Sequence, residues 1–258
     1  MEITLSGRAA IITGGSKGIG FAIASRFAGS GADVAIIARG REALDQATKT
    51  IATTATGRVV GLQGDVANAA DLERVYAAAM QAFGKVDIIV NNAGTSRTGA
   101  FEDITDQIWR EDFDLKLFAA IRLTRLVWPQ MKERRWGRVI NVLNIGAKAA
   151  RPRSAPTSIT RAAGMALTKV LAGEGAPHNV LVNALLVGFI EADQHVRAAQ
   201  RLGVELAEYM RERSKDIPLG RFGRAEEFAN LACFLASDAA SYITGTAINV
   251  DGGRSPVV

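Results

Sequence analysis

The residues with the clearest chemical signal form a glycine-rich segment, Thr13-Gly-Gly-Ser-Lys-Gly-Ile-Gly20. Gly14, Gly18 and Gly20 follow a short apolar run and precede a helical pattern. Glycines at this G-x-x-x-G-x-G spacing permit a tight turn, and they let a pyrophosphate approach backbone N–H groups at a helix N-terminus. The motif predicts a phosphate-binding loop, although a lone motif of this kind is also compatible with a purely structural turn.

The side chains that follow the second and third apolar runs bear on the choice of nucleotide. An acidic residue after the second strand of a dinucleotide-binding unit binds the ribose 2′-hydroxyl and repels a 2′-phosphate. Ala38 removes that acid here, and Arg39 offers a guanidinium to a phosphate, with Lys17 as a second positive charge. We therefore expect NADP(H) to be preferred over NAD(H). Asp65, before Val66, either accepts from an adenine amino group or caps a helix.

The elements that must position these groups alternate between short apolar runs and helical patterns. Strand–helix alternation predicts an α/β fold with a Rossmann-type, doubly wound parallel sheet of about seven strands and helices on both faces. We expect one domain over residues 1–258, with long helices near Asp106–Arg134 and Ser154–Gly173. The predicted strands, buried on both faces, are Ala9–Thr13, Val34–Ala38, Val59–Gln63, Asp87–Asn91, Arg138–Leu143, Val180–Leu185 and Ala247–Val250.

Composition narrows the function classes. No apolar run is long enough to span a membrane, and the N-terminal residues lack the pattern of a signal peptide. The single cysteine, Cys233, excludes an internal disulfide and a cysteine-built metal site; its apolar helical surroundings predict a core position. We expect no metal and a cytoplasmic location. The net charge of +5 is scattered, which favours small anionic molecules over nucleic acid as partners.

The segment from Ile190 to Arg221 interrupts the alternation with a charged helical pattern. Because a long excursion after a strand of an open α/β sheet lies above the ligand crevice, we interpret residues 190–221 as a substrate lid. A purely structural insertion is the alternative.

Taken together, the motifs resemble the short-chain dehydrogenase/reductase family, in particular its 3-oxoacyl-thioester reductase-like branch. The resemblance covers nearly the whole chain and rests on Thr13–Gly20, Asp65-Val66, Asn91-Asn-Ala-Gly94, Arg138-Val-Ile-Asn141, Asn183-Ala184, Ile217-Pro-Leu-Gly-Arg-Phe-Gly with Glu226-Glu227, and Val250-Asp-Gly-Gly253. It implies a Rossmann fold, a nicotinamide cofactor and a homotetramer, with a hetero-oligomer as the alternative. The implied cofactor-binding residues are Gly14, Ser16, Lys17, Gly18, Ile19, Gly20, Arg39, Asp65, Val66, Asn91, Ala93, Gly94, Arg161 and Gly188.

The same resemblance locates the catalytic positions and shows that all four are substituted. Arg161, at the start of a matching stretch that runs to Lys169, takes the place of the family's lysine, and Thr157 that of its tyrosine. Asn144 stands at the serine position and Lys116 at the asparagine position.

These substitutions have unequal chemical consequences. The Asn144 amide can still donate to an oxyanion, and Arg161 can still hold a ribose although it cannot exchange protons. Thr157 is the serious loss, because an aliphatic alcohol is a far weaker acid than a phenol, and a placed general acid contributes on the order of 10²–10⁴ in rate.

A group of basic residues accompanies this loss. Arg97, Lys148, Arg151 and Arg153 follow the fourth and fifth strands, where they predict either an anion site in the crevice or a solvated surface. His195 and Tyr209 in the predicted lid are candidate substitute proton donors, whereas His178 fits an ordinary loop.

Three functions remain compatible with these residues. The first is an NADP(H)-dependent oxidoreductase with an altered proton donor, acting on a small carbonyl or related substrate. The second is a catalytically degenerate NADP(H)-binding sensor or structural subunit, and the third is non-redox chemistry in an anion-lined pocket.

Overall fold

The sheet organises the molecule. The computed structural model describes residues 3–258, apart from the side chains at positions 193, 194 and 197. Seven parallel strands pair in the order β3-β2-β1-β4-β5-β6-β7, so the direction of winding reverses between β1 and β4. This confirms the predicted Rossmann-type sheet. The strands are β1 Ala9–Thr13, β2 Asp33–Ala38, β3 Val59–Gln63, β4 Ile88–Asn91, β5 Gly137–Asn144, β6 Val180–Val187 and β7 Ala247–Val250.

The prediction that every strand is buried on both faces is wrong for the two edges. Strands β1 and β4 are fully buried, whereas most of β3 and all of β7 are half-buried. An edge strand has a neighbour on one side only, so its residues lose less surface to the sheet than central residues do.

Helices cover both faces of the sheet, as predicted. One face buries apolar residues of α1, α2 and α9, among them Phe27, Leu44 and Phe228; the other buries residues of α3 and α5, such as Leu72 and Leu123. Cys233 lies fully buried on α9, which confirms the predicted core position. The helices are α1 Gly18–Gly29, α2 Arg41–Ala52, α3 Ala69–Phe83, α4 Asp106–Phe113, α5 Ala119–Glu133, α6 Thr157–Gly175, α7 Asp193–Leu202, α8 Leu206–Ser214 and α9 Ala225–Ala236.

The predicted continuous helix over 106–134 is instead interrupted. A π-helical turn, Asp114–Phe118, separates α4 from α5 and contains Lys116. Such turns are rare and occur often at functional sites, and they cannot be read from a periodicity of 3.6 residues. The second long helix, α6, begins three residues later than predicted, because the chain forms a turn at Arg151–Ser154 and Pro156 precedes the first helical residue.

The chain after β6 forms a small separate layer. Helices α7 and α8 pack on each other around the buried residues Ala199, Tyr209, Ile217 and Phe222. In the part of the chain that the structure describes, no helix is both long and apolar enough to cross a membrane.

Candidate active site

The glycine loop between β1 and α1 has the geometry that the motif predicts. Gly14 and Gly18 adopt left-handed backbone conformations, with φ of +66° and +54°. A Cβ atom at Gly20 would overlap the carbonyl oxygen of Gly14, so the third glycine lets helix and loop approach each other. Gly15, which sequence reasoning left out, is constrained too: a Cβ there would lie 2.6 Å from Cγ2 of Ile36 on β2.

A second asparagine, which sequence reasoning missed, fixes this loop from the end of β4. The Asn92 amide donates to the carbonyl oxygen of Thr13 at 2.9 Å and to that of Gly14 at 3.3 Å. The Thr13 hydroxyl in turn accepts from the backbone N–H groups of Asn92 and Ala93 at 2.9 and 3.0 Å. Asn91, which the family resemblance implies to lie along the cofactor and to support the central sheet, donates from its side chain to Asn141 inside the sheet at 2.8 Å.

The residues predicted at the adenosine end have distinct surroundings. Arg39 is exposed, and its guanidinium lies 3.9 Å from the carboxylate of Asp65. Asp65 accepts from the backbone N–H of Ala67 at 3.0 Å within the turn before α3, and Asn68, not Asp65, caps that helix. Val66 is buried among core residues, so only its backbone is available to a ligand. Lys17 is exposed and immediately precedes α1.

One large cleft of about 1340 Å³ lies at the carboxyl ends of the central strands, and Ile19 at the start of α1 and Asn92 after β4 line it. Open α/β sheets bind their ligands at this place, where the strand order reverses. Predicted residues from both groups line it: Ile19, Gly94 and Gly188 from the cofactor group, and Asn144, Thr157 and Arg161 from the substituted positions. The other predicted residues of the glycine loop and the adenosine end, among them Gly14, Ser16, Lys17, Gly18, Arg39, Asp65 and Val66, lie outside its lining.

Thr157 is buried, and its hydroxyl is fully engaged. It donates to the backbone carbonyl of Arg97 at 2.8 Å and accepts from the Arg97 N–H at 3.0 Å. It also accepts from Nζ of Lys116 at 2.9 Å. With one donor and two acceptor sites a threonine hydroxyl is thereby saturated, so Thr157 ties the loop after β4 to the start of α6.

Lys116 belongs to a buried charged network that sequence reasoning missed. Its ammonium group pairs with the carboxylate of Asp112, four residues earlier, and both side chains are 1% exposed. Asp112 also accepts from the Thr160 hydroxyl at 2.7 Å. Burial lowers the pKa of Lys116 to about 8, with further lowering by Arg161 and Arg97 against the raising effect of Asp112.

Arg161 supplies a second cation within the cleft. Its guanidinium donates to the carbonyl of Val142 on β5 at 2.9 Å. A Cβ at Gly94 would lie 2.5 Å from Nη2 of Arg161, so the glycine is needed for this approach. Burial lowers the pKa of Arg161 to about 10, and the side chain therefore stays charged at neutral pH.

Asn144 lies at the end of β5 with an unsatisfied acceptor. Its Oδ1 atom is buried and has no hydrogen-bond partner among the residues that the structure describes. Ser158, on the first turn of α6, also lines the cleft, although no motif identified it. A ligand in the cleft therefore meets a side-chain amide and a hydroxyl.

The four basic residues predicted to form an anion site do not converge. Arg151 and Arg97 line the cleft, but Arg97 is paired with Glu111. The ammonium of Lys148 donates to the carbonyl of Ala247 at 2.6 Å, and Arg153 is exposed in the turn before α6. Arg201 and Arg254, which sequence reasoning did not include, line the cleft as well.

His195 and Tyr209, considered as substitute proton donors, both line the cleft. The His195 ring packs edge-on against Phe189 and Phe222, with centroids 5.7 and 4.8 Å apart. Burial lowers the pKa of His195, so the imidazole is neutral at physiological pH. His178 lies in a short turn before β6, as expected of a loop residue.

The strand order and the glycine loop together define a nucleotide-binding Rossmann fold, and comparison with known proteins identifies the family. The family described as Enoyl-(Acyl carrier protein) reductase matches residues 14–255. The 3-oxoacyl-(acyl-carrier-protein) reductase FabG of Aquifex aeolicus is 35% identical, over 98% of this chain and 99% of the relative. Human dehydrogenase/reductase SDR family member 4 is 35% identical, over 96% and 88%. The chain belongs to the short-chain dehydrogenase/reductase family of oxidoreductases.

Two solved structures of relatives share the fold over nearly their whole length. L-Sorbose reductase from Gluconobacter frateurii, complexed with NADPH and L-sorbose, superimposes with a TM-score of 0.97 at 33% identity, over 100% of both chains. Actinorhodin polyketide ketoreductase, solved with NADPH, superimposes with a TM-score of 0.92 at 29% identity, over 97% of this chain and 98% of that one.

Proposed function

We propose that this protein binds NADP(H) in the cleft and is an oxidoreductase for a small carbonyl or related substrate, with a non-standard proton donor. The observation that carries the proposal is the glycine loop, which Asn92 and Thr13 fix, because Asn92 and Ile19 at the start of α1 line the same cleft as the half-buried cation Arg161. NADPH-bound relatives of the same fold support the choice of cofactor.

The residues present fit such a cofactor from end to end. Backbone N–H groups at the start of α1 suit a pyrophosphate, and Arg39 with Lys17 suits a 2′-phosphate. The Asp65 carboxylate suits an adenine amino group, and Arg161 suits the ribose next to the nicotinamide. When bound, the nicotinamide supplies or accepts a hydride; the protein has to orient the carbonyl and deliver a proton.

We further propose that Asn144, Thr157, Arg161 and Lys116 occupy the family's four catalytic positions. The Asn144 amide can polarise a carbonyl oxygen if its NH₂ group faces the ligand. Arg161 can hold a ribose or substrate through hydrogen bonds, but it does not donate a proton, because its pKa is still about 10. Among these four positions, Lys116 has a pKa lowered to about 8 and donates a hydrogen bond to Thr157, so its ammonium group can exchange a proton near neutral pH more readily than Arg161 can.

Titration with NADPH and NADH, followed by nicotinamide fluorescence, tests the cofactor proposal. We expect NADPH to bind more tightly, and Arg39→Ala to weaken NADPH binding about tenfold while NADH binding is unchanged, as removal of one exposed charge-assisted contact should. Arg41→Ala is the matched control, because Arg41 lies only two residues after Arg39 and pairs with Asp45 on α2. Failure of the wild-type protein to bind either nucleotide would overturn the proposal.

A catalytically degenerate NADP(H)-binding subunit is the second candidate, and the Thr157 hydrogen bonds favour it. Its hydroxyl is saturated by Arg97 and Lys116, so it serves the loop and not a substrate. Restoring the family residues with Asn144→Ser, Thr157→Tyr, Arg161→Lys and Lys116→Asn separates the candidates. Methyl acetoacetate reduction that is present in wild type supports the enzyme, and reduction that appears only after restoration supports degeneracy.

The surroundings of the cleft suggest two larger features. We propose that residues 190–221, which bring His195 and Tyr209 to the cleft, act as a substrate lid.

We also propose a homotetramer built partly on α5 and α6, since Ile159 and Val170 on α6 are 46% and 57% exposed. Sedimentation at several protein concentrations would test the assembly.

A further inference from the structure

One guanidinium at the edge of the cleft, that of Arg254, makes no ion pair with the residues that the structure describes. Arg254 follows β7 and lines the cleft, and its Nε atom is buried without a hydrogen bond among the described residues. Its Cζ atom lies 3.9 Å from the centroid of the Phe189 ring, and this stacking holds the side chain in place. A buried N–H group without a hydrogen-bond acceptor is costly in free energy, so we expect a ligand to supply the acceptor for this Nε–H group.

Further positive charge surrounds this donor. The guanidinium of Arg213 on α8 lies 5.9 Å from the same Phe189 ring, and Arg151 lies in the turn before α6. Burial lowers the pKa of Arg254, and the charges of Arg151 and Arg213 lower it further, against the opposite effects of Asp216 and Asp251. Arg151 and Arg213 are exposed, so solvent screens much of their charge, but an anion bound to the Arg254 guanidinium would relieve the remaining repulsion.

The nearby carboxylates of Asp251 and Asp216 do not form an ion pair with the Arg254 guanidinium in the chain as far as the structure describes it. The Asp251 carboxylate accepts from the backbone N–H groups of Gly253 and Ser255, at 3.0 and 2.6 Å, and so it organises the turn that presents Arg254. Asp216 is exposed, where solvent screens its charge. In the described part of the chain Arg254 makes no ion pair within 4 Å, unlike Arg97 at the other wall of the cleft.

We propose that Arg254, with Arg151 on the lining of the same cleft, binds a carboxylate group carried by the substrate. Nε and one Nη of a guanidinium form a planar pair of donors that matches a carboxylate edge. Asn144, whose Oδ1 is also buried and unpartnered, lines the same cleft, so one ligand can meet both groups. The inference rests on the proposed function in that the carbonyl end of this oxo acid would face the cofactor.

Binding of oxo acids and their methyl esters tests the proposal. Pyruvate, acetoacetate and levulinate, which differ in length, are titrated by calorimetry with and without saturating NADPH. We expect at least one acid to bind roughly 10- to 100-fold more tightly than its ester, the effect of a charge-assisted hydrogen bond. Arg254→Met should abolish this difference and leave NADPH affinity unchanged, whereas Arg153→Met should change neither.

Two further measurements keep the result interpretable. If Arg254→Met does not fold, as judged by its thermal melt, Arg254→Lys and Arg151→Met replace it, and each should reduce the preference for the acid. In the wild-type protein, added NaCl should weaken acid binding and leave ester binding unchanged. Equal affinities for acid and ester, or no acid binding, overturn the carboxylate site; absence of NADPH binding overturns the proposed function separately.

Discussion

The polar groups on the two sides of the cleft have different kinds of hydrogen-bond partner. On the glycine-loop side, the hydrogen bonds connect the Asn92 side chain and the Thr13 hydroxyl with the backbone, and none of them uses an N–H group at the start of α1. On the β5–α6 side, the polar side chains are directed at one another: Lys116 at Asp112, and Thr157 at Arg97 and Lys116.

This difference shows which chemistry a fold can retain when side chains change. A phosphate-binding loop depends on backbone N–H groups and on the absence of Cβ atoms, so it persists as long as the glycines do. A proton-transfer site depends on the side chains themselves. When these are replaced, each new buried polar group needs a new partner, and the network around Lys116 provides such partners.

The largest effect is expected from opening the buried pair. Lys116→Met would leave the carboxylate of Asp112 buried and unpaired, and we expect it to lower the free energy of unfolding by about 3–5 kcal/mol. The double variant Asp112→Asn/Lys116→Met removes both charges and should recover most of this loss. Urea denaturation of both variants measures the effect. If the single variant is as stable as the wild type, the β5–α6 side is not held together by this pair.

The pH dependence of stability sharpens the same point. Because burial lowers the pKa of Lys116 from 10.5 to about 8, the unfolded chain holds more protons than the folded one between these pH values. The free energy of unfolding should therefore rise with pH through this window, by at most about 3 kcal/mol. The double variant Asp112→Asn/Lys116→Met should lack this rise. Denaturation curves across the window compare the two proteins, and parallel profiles would contradict the assignment.

A smaller effect is expected on the glycine-loop side. Gly20→Ala places a Cβ against the carbonyl oxygen of Gly14 and should cost about 1–3 kcal/mol of stability, with weakened NADPH binding. Gly29→Ala on the same helix is the control, because a Cβ there meets nothing within 4 Å. Thermal melts and nucleotide titration give the comparison. Equal behaviour of the two variants would mean that the close approach of loop and helix is not required.

Individual elements show how much of the fold can be predicted from the sequence. The bounds of β1, β3 and β7 agree with the apolar runs, and the loop after β1 has the left-handed glycines that its motif requires. The π-helical turn at Asp114–Phe118 was not predicted, because its period is absent from helical patterning. Asn91 and Asn92 are adjacent in the chain, and only the sheet register directs one into the core and the other to the glycine loop.

The sequence by itself determined the strand–helix alternation, the phosphate-binding loop and the family, since these depend on local periodicity and on the types of residue at short spacing. Only the tertiary structure decided which charged groups meet. Asp112 accepts a hydrogen bond from Thr160, 48 residues away, and Lys148 donates to the carbonyl of Ala247. Arg254, near the end of the chain, stacks on the ring of Phe189. The physical reason is that hydrogen bonds and charge interactions act over a few ångströms, and the packing of the sheet and its helices sets these distances.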